Sequence, residues 1–187
     1  MMKKKTCILV GILVMSVSVL CGCKESESES YTMSADYPSY DTAQDIVDSA
    51  DLVFTGKVKG VTYKMLDIRT DSGEDSMTGY KDTDPIPYTI YEIEPIRFYK
   101  GSTEEKTVYI KRPGGNFDNE NYVLEDASEI VVDGEYLFLA STYANSYPSL
   151  VNATQASYNL NASSASTFSI GDNGNEITLE DILKVFE

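Results

Sequence analysis

The spacing of apolar residues changes repeatedly along the chain, and each change marks a predicted element. An apolar run from Cys7 to Leu20, broken only by Gly11, Ser16 and Ser18, follows the basic cluster Lys3-Lys4-Lys5. Its 14 residues fall short of the ~20 that cross a bilayer core. A basic flank, a short apolar run and small residues at its end describe a signal peptide over residues 1–22. Further on, Ala43, Ile46, Val47 and Ala50 recur at helical spacing, with Asp41 or Thr42 as cap, and predict a short helix over 41–50. From Leu52 to Val61 the pattern becomes strand-like, with Gly56 and Gly60 as bends or bulges. Strands are predicted over 88–100, where Pro95 implies an edge or a bulge, and over 107–111. The most apolar strand is 135–140, expected at the centre of the core. Two short strands near 150–151 and 168–170 and a helix over 179–186, capped by Thr178 with Asp181 in capping-box position, complete the reading. Residues 67–87 and 116–121 read as polar loops. Short strands, regular turns and one helix at each end suggest a mainly β fold, a small curled barrel.

The end of the apolar run is more specific than a plain secretory signal. Leu20-Cys21-Gly22-Cys23 resembles the lipobox of bacterial lipoproteins, with Cys21 where a small Ala or Ser is commoner. The resemblance implies cleavage before Cys23 and a diacylglyceryl group on its thiol. Two acyl chains anchor a protein stably where one does not. The charged run Lys24-Glu25-Ser26-Glu27-Ser28-Glu29-Ser30 then reads as a tether, so 23–40 is expected to be a lipidated cysteine followed by disordered chain. Treated as a coil, its 17 residues from 24 to 40 reach roughly 23 Å. Residues 41–187 form the expected single domain.

Composition changes the picture by exclusion. Removing residues 1–22 takes three lysines, so the mature charge is 12 − 30 = −18. A surface this negative repels nucleic acid and anionic lipid headgroups. All three cysteines lie at or before position 23 and histidine is absent. The domain therefore has no disulfide, no Cys- or His-based metal site and no histidine for nucleophilic catalysis. Acidic clusters at 67–84, 118–121 and 172–176 lack the spacing of a calcium loop. Asp71-Ser72-Gly73 has the residues of an aspartic-protease half-site without its apolar neighbours. A glycoside-cleaving carboxylate pair would need a deep sugar cleft, which a small domain without tryptophan rarely builds. No metal or cofactor is expected.

Three pieces carry a second resemblance: Ala50-Asp51-Leu52-Val53 with Gly56 and Val58, then Tyr99-Lys100-Gly101, then Gly134-Glu135-Tyr136-Leu137-Phe138-Leu139. Together they resemble uncharacterised bacterial lipoproteins and secreted proteins whose domain is similar to the OB-like barrel of netrin and tissue-metalloproteinase-inhibitor modules. The resemblance covers about 41–140 and implies an OB-like fold, with no activity attached. The expected function is a binding or interaction module without catalysis, on the extracytoplasmic face of the cell membrane. Its partners would be an envelope protein, a peptide or a saccharide. The alternatives are a structural subunit of an envelope complex and a carboxylate-based hydrolase. Tyr80, Tyr122, Tyr143 and Tyr147 are loop candidates for contact, and the candidate ligand face comprises Tyr88, Tyr91, Tyr122 and Tyr143, beside loops 67–87 and 114–127.

Overall fold

The computed structural model describes residues 29–67, 85–161, 168–171 and 174–187. Among these, α1 (Ala43–Ser49) forms where the helical stripe predicts it. Thr42 caps it by accepting from the Asp45 amide, and the stripe buries Ile46 and Val47. The chain leaves α1 through Ala50 in an extended conformation and enters β2 (Leu52–Leu66).

β2 pairs antiparallel with β3 (Ile86–Lys100), and both run 15 residues. Their register slips at Val53/Phe54, Thr55/Gly56 and Val58/Gly60, so the two predicted glycine bends coincide with irregularities that curl the pair. Gly56 has no room for a side chain: a Cβ there would lie 2.6 Å from Ile93 Cγ2 and 2.9 Å from the Glu94 carbonyl oxygen. β4 (Val108–Pro113) pairs with β3 from Tyr88 to Ile93 only, which leaves Pro95 where β3 has β2 alone as neighbour. A proline lacks the N–H that a second neighbour would need.

β7 (Glu135–Tyr143) pairs with β2 on one side and with β8 (Ser146–Leu150) and β9 (Ser157–Asn159) on the other. β8 also meets β4 in parallel at Lys111–Ser149. The six-stranded order is β2-β3-β4-β8-β7-β9, and the β2–β7 pairing brings the sheet round onto its own first strand. The fold is mainly β.

Leu137, Phe138, Leu139 and Ala140 are fully buried, because β7 carries sheet on both edges and is covered on both faces. Phe54 packs 5.3 Å from Phe98 and 5.5 Å from Phe138, ring centroid to centroid. Burying an aromatic ring of this kind contributes about 1.5–3 kcal/mol. α1 and α2 (Leu179–Lys184) pack on the same core through Ile46 and Ile182, and α2 begins with the predicted capping box of Thr178 and Asp181.

Two expectations are corrected. Residues 116–121 are not a loop: β5 (Gly115–Phe117) and β6 (Glu120–Leu124) form a hairpin whose turn, Asp118-Asn119, has φ of 48° and 68°. Two consecutive left-handed residues make the tight turn whose twist suits paired strands. The tether expectation is corrected over residues 29–33, where β1 (Glu29–Met33) pairs in parallel with β6 and Tyr31 stacks on Tyr122 at 5.4 Å. Main-chain pairing needs no apolar run, so hydrophobic spacing could not reveal it. The strand near 168–170 is β10 (Phe168–Ile170), with the unanticipated β11 (Glu176–Thr178) as its partner.

Candidate functional site

Period-2 alternation divides the four tyrosines of the predicted ligand face. Tyr91 points inward with Ile93 into the core and is 3% exposed. Tyr88, also 3% exposed, lies on the other face. Its burial, with Tyr37 and Tyr143 nearby, raises its hydroxyl to about 12. Tyr122 is half-buried and Tyr143 half-exposed. As one exposed face, the four do not hold together: Tyr143 lines one concavity, Tyr91 and Tyr122 line another, and Tyr88 lines neither.

Tyr88 and Tyr143 flank Lys111, which is 6% exposed. Its Nζ lies 4.6 Å from the Tyr143 ring centre and 5.9 Å from that of Tyr88, and donates to Ser146 Oγ at 2.6 Å. No described carboxylate is within ion-pair distance. Burial alone pushes the ammonium below the usual lysine value. This lysine belongs to the strand predicted over 107–111, yet nothing in the sequence marked it as covered.

Beside it a groove of about 750 Å³ runs between the end of β2, the β3–β4 connection and the β7–β8 turn. Leu52, Leu66 and Pro148 supply apolar wall, and Tyr109, Tyr143 and Tyr147 supply rings. Tyr109 and Tyr147 lie 6.0 Å apart, and Lys64 holds Tyr147 by donating to its hydroxyl at 2.8 Å. Asp51 fixes the base of the β7–β8 turn by accepting from the Thr142 amide at 2.7 Å and its hydroxyl at 3.1 Å. Hydroxyls, the Asn145 amide and the Asp67 and Glu105 carboxylates also line it, and among the described residues no lysine or arginine is part of it. The size falls within the ~300–1,000 Å³ typical of ligand sites. The arrangement offers stacking surfaces and a mixed donor–acceptor rim to a neutral or cationic ligand.

A second concavity of about 360 Å³ opens at one end of the curled sheet, between the β2–β3 arm and the β5–β6 hairpin. Tyr91 and Tyr122 line it, together with Arg112. Sequence reasoning passed over Lys64, Tyr109, Lys111 and Arg112. Alternation along 108–113 would have separated Tyr109 and Lys111 from Arg112, though not shown which face was concave.

Cys23, with Cys7 and Cys21, lies outside the described residues, as do Asp71-Ser72-Gly73, Tyr80 and Asp172. Among the described residues no group of three or more His, Cys, Asp or Glu side chains is placed to hold a metal ion, and no helix is long and apolar enough to cross a membrane. Compared with known proteins, the chain matches no family model and no curated protein.

Proposed function

We propose that the chain is a lipid-anchored binding module on the extracytoplasmic face of the cell membrane, built on an OB-like barrel and acting without turnover. The anchor reading rests on the lipobox-like Leu20-Cys21-Gly22-Cys23, with Cys23 as the lipidated residue. The OB-like reading is supported by the circuit β2-β3-β4-β8-β7 returning to β2, with β4 and β8 in parallel contact, as a five-stranded partly open barrel requires. The observation that carries the binding reading is the tyrosine-lined groove at the ends of β2 and the β7–β8 turn. OB-type barrels bind through a sheet face and the loops beside it.

The groove's chemistry narrows the ligand. Among the described residues its lining carries two carboxylates and no lysine or arginine, which disfavours phosphate backbones and acidic glycans. A neutral saccharide or a neutral or basic peptide of an envelope partner fits the rings and the hydroxyl rim. Probing glycan and peptide arrays with the full chain tests this. Signal on one array, lost in Tyr147→Ala with an unchanged melting temperature, supports the reading. Signal unaffected by Tyr147→Ala and Tyr109→Ala, or silence on both arrays, removes the groove as the binding site.

A further inference from the structure

We infer that the concavity at the end of the curled sheet is a second binding site, for a carboxylate carried on a small apolar body. Arg112 is its centre. Adjacent to Lys111 on β4, it points to the opposite face of the strand, across from Thr89 on β3. Its guanidinium carbon lies 5.3 Å from the centre of the Tyr91 ring, and one terminal nitrogen donates to the Ser128 carbonyl at 2.5 Å. A guanidinium has five N–H donors, so the one given to Ser128 leaves capacity for a ligand.

Among the described residues no carboxylate lies within ion-pair distance of Arg112, as none does of Lys111, although Glu129 is part of the same wall. Part of the rim is apolar and open: Val61, Tyr63, Val123 and Val132 are each between 37% and 46% exposed, while Asn116 and Asn121 are its polar members. Exposed valines and a tyrosine ring near one half-buried guanidinium match a ligand that ends in a carboxylate and continues as hydrocarbon. Arginine presents its donors as a planar fork that takes both carboxylate oxygens, which a lysine cannot do. The chain's net negative charge does not forbid this, because charges beyond ~8 Å are largely screened at physiological salt. At about 360 Å³ the site takes a short acid or a single terminal residue. Two sources present that chemistry, a fatty acid and the C-terminal residue of a peptide.

Calorimetric titration of the full chain in lipid nanodiscs, with empty discs as blank, tests the inference using hexanoate, N-acetyl-L-leucine and hexan-1-ol. At least one of the two acids should bind, with hexanol roughly tenfold weaker or worse. The tighter acid tells which source the site prefers. Arg112→Lys keeps the charge and loses the fork, and should weaken acid binding roughly tenfold at an unchanged melting temperature. Glu129→Gln should tighten it. Equal binding of hexanol and hexanoate, wild-type affinity in Arg112→Lys, or no heat from either acid overturns the inference. Should Arg112→Lys fail to fold, Val132→Ser decides: an unchanged affinity for the acids counts against the site. None of these outcomes depends on the groove.

Discussion

Gln155 binds both main-chain groups of Tyr40: its Oε1 accepts from the Tyr40 amide at 3.0 Å, and its Nε2 donates to the Tyr40 carbonyl at 2.9 Å. The side chain acts as a one-residue strand partner, 115 positions away in sequence. The same amide donates to the Ile170 carbonyl at 3.0 Å, and Oε1 accepts from Asn152 Nδ2 at 3.2 Å. With 1% of its surface exposed, Gln155 thus joins the entry into α1 to β10. Replacing it with alanine leaves the Tyr40 amide and carbonyl without their partner at a covered site, where each lost pairing costs about 1–3 kcal/mol. Gln155→Ala is expected to lose about 2–4 kcal/mol in urea unfolding at an unchanged m-value. A loss below about 1 kcal/mol would mean that water replaces the amide.

Lys111 leads to the opposite expectation. Its ammonium is covered with no described carboxylate beside it, and burial penalises the charged form. Methionine fills similar space without the charge. Lys111→Met should melt at or above the wild-type temperature at pH 7. A fall equivalent to more than about 1 kcal/mol would show that the two tyrosine rings and Ser146 outweigh desolvation.

The buried tyrosines set the alkaline limit. Burial raises Tyr88 and Tyr158 from 10.0 to about 12, and Tyr158 also shares a 2.9 Å hydrogen bond with Ser169. A raised folded value means that the fold holds the proton while the unfolded chain releases it. Stability from these groups is therefore complete below pH 10 and is lost as the pH rises from 10 towards about 12. Absorbance at the phenolate band should show a class of tyrosines titrating only together with unfolding. Full titration near pH 10 with the fold intact would contradict this.

Gly101 opens the β3–β4 connection with φ of 69°, and a Cβ there would lie 2.5 Å from the Asp51 carbonyl oxygen and 2.6 Å from Leu52 Cδ2. The left-handed backbone and the clash act together, and both neighbours are close to the core. Gly101→Ala is expected to cost at least ~2 kcal/mol in thermal unfolding. A variant within 0.5 kcal/mol of wild type, as a rough threshold for surface changes, would refute the close approach.

The parts of the fold with strong local signals were legible in the sequence. The Leu137–Ala140 run was read as central and is fully buried, and the Thr178–Asp181 capping box was read three residues apart and forms. Gly56 and Gly60 were read as bends and stand at register slips. What escaped was short or carried by the main chain. β9 and β11 are three residues each, too brief for a period to show. The Asp118-Asn119 turn was hidden inside a polar stretch, and β1 is held by its ladder to β6. For the tyrosine face the needed rule was at hand: Tyr88 and Tyr91 stand an odd number of residues apart on one strand and cannot share a face. The two concavities were beyond reach, since Tyr109 and Tyr147 meet only once β4 and β8 are placed side by side.

The most direct test of the proposed anchored module is the mass of the chain's first peptide after purification from the membrane fraction of its own cells. The account predicts a mature chain of 187 − 22 = 165 residues that begins at Cys23 and carries a diacylglyceryl group on sulfur. A chain that keeps residues 1–22 with an unmodified Cys23, or that is recovered from the cytosol, would contradict it.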